Sequence, residues 1–192
     1  MSALVINLRP TIDLSDDEFY EFCQHNPNLK IERTAAGALI VMPPTGGESG
    51  HRNADLITDV GIWNRQTELG IVFDSSTVFK LPSGANRSPD VAWITTERWN
   101  ALSAEQQKKF PPIAPDFVVE LRSETDTLND LQEKMREYID NGVRLGWLVD
   151  PQTKQVSIYR PGQSVETLRS PTTLSGEAVL PGFVLDLSRI FR

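Results

Sequence analysis

The order of elements legible in the chain predicts an α/β domain built on a mixed β-sheet. Strand patterns stand on both sides of a helical pattern near residues 128–141, the arrangement of a crossover. Upstream, strand-like runs are separated by Gly, Ser, Asn and Pro, the residues of turns. With 192 residues, 39% hydrophobic and 23% charged, the sequence fits one globular domain spanning 1–192 and argues against wholesale disorder.

The elements follow in order. Ser15, succeeded by Asp16, Asp17 and Glu18, opens a short helix over about Ser15 to Gln24, because a Ser side chain caps free helical N–H groups. Two strands, about Lys30 to Thr34 and Ala38 to Met42, are joined through "AAG" as a hairpin. "PPTGG" breaks the chain before a long helix, about Glu48 to Leu69, with Leu56, Val60 and Trp63 as its inward stripe and Gly70 as its stop. "IVF", "STVFKL" and "PDVAWI" read as strands, and residues 95–109 as short surface helix. A strand over Asp116 to Arg122 precedes a helix from about Leu128 to Asn141, closed by Gly142. "RLGWLVD" and "QVSIYR" are strands around a "PQTK" turn, with Trp93 and Trp147 as core residues, and turns and short strands fill the tail from Pro161.

Charge and composition narrow the function. A net charge of −7 and a pI near 4.9 argue against a nonspecific nucleic-acid coat, which needs many Lys and Arg contacts to phosphate. The longest apolar run, near Ala38 to Met42, is too short for a membrane span, so no membrane partner is expected. The lone Cys23 and the absence of a secretory pattern at the N-terminus fit a cytoplasmic setting.

Glu120 poses a physical problem. It closes an apolar strand bound for the core, and a carboxylate buried there is costly without a partner. Alternation puts Glu120 and Arg122 on one face, with Val119 and Leu121 on the other. Asp90, directly after Pro89, starts another strand. Two carboxylates at neighbouring strand ends repel unless a cation sits between them, and hard oxygen ligands suit Mg²⁺ or Mn²⁺. On the following helix, Lys134 borders the apolar stripe of Leu128, Leu131, Met135, Tyr138 and Ile139. Lys134 either serves this site or pairs with Asp130 one turn away on a solvated face.

"PD" at Pro89–Asp90, "VVELRS" at Val118 to Ser123, Asp130, Lys134 and Tyr138, and "GWLVDP" at Gly146 to Pro151 together resemble the Uma-two family of restriction-endonuclease-like proteins, a branch of the PD-(D/E)XK nuclease superfamily. The resemblance implies a restriction-endonuclease-like core, a mixed sheet flanked by helices, and a Mg²⁺- or Mn²⁺-dependent endonuclease acting on DNA. It implies Asp90 and Glu120 as catalytic metal ligands, the Leu121 carbonyl as a further ligand, and Glu48 as an additional acid on the first core helix. Glu48 reads equally as an acidic residue stabilised by the helix dipole. Where the superfamily carries Lys, this chain has Arg122, which stays protonated and neutralises phosphate rather than acting as a base. Lys134 resembles the migrated lysine of this branch. A homodimer, in which two sites address two strands, is implied by analogy.

Other residues have two readings each. His51 is a metal ligand, base or substrate contact, or else a polar helix residue, since no HExxH spacing supports zinc. Tyr138 contacts substrate or lies at the core edge with a wet hydroxyl. Ser123 caps a turn or meets phosphate, and Lys108 and Lys109 line a groove or end a solvated helix. Besides the nuclease, two functions fit: a catalytically inactive binding module of the same fold, and a hydrolase of smaller phosphodiesters.

Overall fold

The computed structural model describes residues 3–192. Its elements are β1 (Leu4–Ile6), α1 (Asp16–His25), β2 (Lys30–Arg33), β3 (Leu39–Met42), α2 (Gly47–Thr67), β4 (Gly70–Asp74), β5 (Phe79–Lys80), β6 (Asn86–Arg87) and β7 (Val91–Thr95). After these come α3 (Thr96–Asn100), α4 (Ala104–Lys108), β8 (Phe117–Leu121), α5 (Leu128–Asp140), β9 (Leu145–Asp150), β10 (Gln155–Tyr159), β11 (Glu166–Arg169), β12 (Thr173–Ser175) and β13 (Val184–Asp186).

Six strands form a mixed sheet in the order β11-β10-β9-β8-β7-β4. Within it β8 and β9 run parallel, and every other neighbouring pair is antiparallel. A parallel pair needs a crossover connection, and α5 supplies it. A second, antiparallel sheet has the order β1-β3-β2-β6-β5, and β12 pairs with β13. The mixed α/β architecture is the one the element order predicts. No helix among the described residues is long and apolar enough to cross a membrane.

Alternation along β8 sorts its side chains between two cores. Phe117, Val119 and Leu121 pack with Leu56, Val60 and Trp63 of α2, under a lid from the tail that includes Leu174 and Leu185. Val118 faces the other way, onto Met135 and Tyr138 of α5. Glu120 follows Val118 onto that α5 side. A third cluster, Phe19, Ile31 and Leu39, joins α1 to the second sheet. Trp93 and Trp147 are core residues, as their strand patterns require.

Local expectations fare unequally. Ser15 caps α1 with a full capping box: its hydroxyl accepts from the Glu18 N–H, and the Glu18 carboxylate accepts from the Ser15 N–H. The stop of α2 differs from expectation. The helix ends at Thr67, and Glu68 takes the left-handed conformation at φ 56°, so Gly70 is not the cap. Gly70 instead opens β4, where a Cβ would lie 2.3 Å from the Ile94 carbonyl oxygen and 2.4 Å from the Trp93 ring. The "STVFKL" run yields only the two-residue β5, and β1 and β6 have no counterpart in the sequence reading.

Candidate active site

Asp90 immediately precedes β7, and the antiparallel register pairs Val91 with Val119. Continuing that register by one residue sets Asp90 opposite Glu120. The Leu121 backbone N–H donates to Asp90 Oδ2 at 2.8 Å, and Asn53 Nδ2 donates to Oδ1 at 3.2 Å. The two acids therefore meet at one end of the mixed sheet, beside the N-terminal half of α2. Burial pushes the Asp90 carboxyl up from its usual range, against the opposing charge of Lys30 and the Leu121 amide.

Glu120 is only 4% exposed. The Tyr138 hydroxyl donates to its Oε1 at 2.9 Å, and the Lys134 ammonium lies 2.8 Å from the same oxygen. One helical turn separates Lys134 from Tyr138, which is why α5 delivers both to one carboxylate. Burial raises the Glu120 carboxyl to about 7; Lys134 opposes the rise, while Asp90 and Glu32 add to it.

The second sheet reaches into this centre. Glu32 of β2 accepts from Lys134 at 2.8 Å and from the Ser88 N–H at 2.9 Å, and its other oxygen accepts from Arg87 at 3.1 Å. Arg87 also donates to Glu137 of α5 at 2.5 Å. Although burial acts to raise Glu32, Lys134 and Arg87 outweigh it and bring the carboxyl down to about 2. Burial opposes the charged form of Lys134 too, yet Glu120 and Glu32 prevail and hold the ammonium above its usual range. Lys134 is thus a firmly protonated cation between two acids. The solvated Asp130–Lys134 pair is not formed; the Asp130 N–H donates to the Thr127 hydroxyl that caps the helix, and Asp130 makes no ion pair among the described residues.

Several expected site residues lie elsewhere. Glu48 pairs with Arg52 at 2.6 Å with its side chain 67% exposed, so it does not join the carboxylate pair. Glu48 and Asn53 point to different sides of α2, and Asn53 is the residue that reaches Asp90. His51 is also outward, its ring 3.8 Å from Asp55. Arg122 lies beyond the last residue of β8, where alternation no longer governs direction; it donates to Asp150 at 2.8 Å and not to Glu120. Tyr138 is fully buried, so it orients Glu120 and does not touch substrate. Ser123 caps its turn by donating to Asp126 at 2.6 Å, and Lys109 is held by Asp17 at 2.9 Å.

Glu32, Arg87 and Asn53 escaped the sequence reading. Glu32 had one signal: in "KIER" an acid sits inside a strand, as Glu120 does.

A family model described as "Putative restriction endonuclease", Uma2, matches residues 16–188. The chain belongs to the Uma2 family. Its fold is also similar to a solved structure from Anabaena variabilis described as a "putative nuclease belonging to DUF820", with a TM-score of 0.78 and 19% identity over 93% of this chain and 97% of that one. No curated protein matches the sequence.

The donors of this Uma2 chain can be tested against a divalent metal. Among the described residues no group of three or more His, Cys, Asp or Glu could hold an ion. Mg²⁺ does not require one, since it keeps several waters and takes one or two carboxylates plus substrate phosphates. Asp90 and Glu120 meet that minimum. Asn53 Oδ1, buried beside Asp90 without a hydrogen-bond partner, is a further hard oxygen left unused by the protein. The oxygen set therefore fits Mg²⁺ or Mn²⁺ and does not fit a closed zinc site.

Proposed function

We propose that this Uma2 chain is a divalent-metal-dependent nuclease that hydrolyses DNA phosphodiester bonds at the Asp90–Glu120 site. One observation carries the reading: Asp90 and Glu120 converge at adjacent strand ends, with the Lys134 ammonium 2.8 Å from Glu120. Asp90 and Glu120 would hold Mg²⁺ or Mn²⁺, with the Leu121 carbonyl and Asn53 Oδ1 as supplementary donors. A bound ion of this kind supplies a nucleophile by lowering the pKa of its water, and takes up charge on the attacked phosphate.

The chain's own groups do the positioning. The Leu121 amide and Asn53 fix Asp90, and Tyr138 fixes Glu120. An ammonium has three N–H donors; Lys134 spends two on Glu120 and Glu32, leaving one for a phosphoryl oxygen or the attacking water. Because its proton is tightly held, Lys134 acts as a cation and donor, not as a base. A homodimer would let two such sites address two strands.

The test pairs metal uptake with turnover. Calorimetry should detect Mn²⁺ binding that Asp90→Ala loses, and duplex DNA should be cut in Mg²⁺ or Mn²⁺ by the wild type but not by Glu120→Ala. Cleavage that survives Glu120→Ala, or Mn²⁺ uptake unchanged in Asp90→Ala, would remove the site. A noncatalytic binding module is favoured by one feature, the Glu32–Lys134–Glu120 chain, in which each carboxylate already has an ammonium beside it without a metal. DNA binding without Mn²⁺ uptake or cleavage would identify that module.

A further inference from the structure

The second sheet brings another cation to the site. Strand β2 turns alternate side chains to opposite sides. Ile31 enters the cluster with Phe19 and Leu39, and Arg33, on the same side, is held by Asp16 and Asn86. Lys30 and Glu32 face the other way, where Glu32 meets Lys134. Arg33 pairs with Asn86 in antiparallel register. Extending that register along both chains brings Lys30 level with Pro89, next to Asp90. The charge of Lys30 is also the foremost influence favouring ionised Asp90.

Among the described residues, Lys30 differs from the other cations nearby in having no hydrogen-bonded or ion-pair partner. Lys134 is bound by two carboxylates, Arg87 by Glu32 and Glu137, and Arg122 by Asp150. Lys30 is partly exposed, and among the described residues its ammonium makes neither an ion pair nor a side-chain hydrogen bond. A phosphodiester entering here brings negative charge to a place that already holds Asp90, Glu120 and Glu32. It needs a cation not already committed to an acid. Lysine suits the task, as a compact charge on a flexible stem that can follow a phosphate.

We infer that Lys30 binds a backbone phosphate of the nucleic-acid substrate at the rim of the Asp90–Glu120 pair. The inference rests on the nuclease reading and adds to it the residue that seats the strand. Phosphate contacts are sequence-independent and displace counterions, so each leaves a mark on the salt dependence of binding.

The experiment is anisotropy of a labelled DNA duplex titrated with the full chain in Ca²⁺ at increasing KCl. Lys30→Ala should weaken binding equally across unrelated sequences and make the slope of log K against log salt shallower by about one. Lys30→Arg should restore both, and Lys30→Met, which keeps the aliphatic stem, substitutes if the alanine variant unfolds. A lysine that merely balances Asp90 would shift the urea midpoint and leave the salt slope at its wild-type value; that outcome overturns the inference. Unchanged slope in Lys30→Met alongside Mn²⁺ uptake lost in Asp90→Ala would sink the phosphate contact while sparing the metal site.

Discussion

Two buried acids stand at opposite ends of strand β8 and have opposite company. Asp116, just before the strand, is fully buried, lies 2.9 Å from Arg98 and 3.5 Å from Arg144, and accepts the Thr95 N–H at 2.9 Å. Both arginines are partly open to solvent, so this acid is surrounded by cations that also have water. Glu120, at the far end, shares one lysine with Glu32 and stands opposite Asp90. The first arrangement stabilises a fold: one carboxylate, its charge balanced by two arginines. The second gathers more acid than the fold needs, which is an arrangement suited to binding a cation.

The sharpest difference should appear against pH. Glu120 has a folded value of about 7 against its usual 4.5, so the folded state binds the proton more tightly than the unfolded chain. Its contribution to stability is complete below pH 4.5 and is lost as pH rises through 7, by on the order of 3 kcal/mol. Glu32 runs in the opposite sense. Held at about 2 when folded, it contributes fully above pH 4.5 and loses that contribution as pH falls through 2. Urea denaturation of metal-free protein should therefore show a decline between pH 4.5 and 7 that Glu120→Gln flattens. Identical profiles for the two proteins would break the contrast.

A smaller effect is expected at the other end of β8. Asp116→Ala leaves the part-buried Thr95 N–H without an acceptor and strips two arginines of their carboxylate, at a cost of about 2 kcal/mol in chemical denaturation. Mn²⁺ affinity per folded molecule should not change, and a loss of metal binding there would erase the distinction between the two ends. Smallest is Tyr138→Phe, which removes the hydroxyl donated to Glu120 and should cost about 1 kcal/mol. Its signature is a weakened calorimetric Mn²⁺ isotherm, because Glu120 loses the bond that orients it; an isotherm matching the wild type would make Tyr138 a core residue only.

What was legible in the sequence was local or periodic. Period-two alternation put Glu120 on the face opposite Val119 and Leu121, the face that meets α5 in the fold, and helical spacing set Lys134 and Tyr138 one turn apart. Arg122 was misassigned because alternation was carried one residue past the end of the strand. Glu48 was implied by the family resemblance alone, whereas the helix turns Asn53 toward Asp90. The Glu32–Lys134 contact was invisible because it spans 102 positions and joins the second sheet to α5, and no periodicity connects them. Gly70 read as a helix stop because its actual constraint, the Ile94 carbonyl and the Trp93 ring, comes from a distant strand.

The long Glu32–Lys134 link has a consequence for biosynthesis. Glu32 leaves the ribosome 102 residues ahead of the lysine that will neutralise it, and the nascent N-terminal hairpin must wait for α5. A truncated translation product ending before that helix would carry a lone acid with Arg87 as its remaining counter-charge, and no assembled Glu32–Lys134–Glu120 cluster. The cluster is complete only when its early and late segments have both been made.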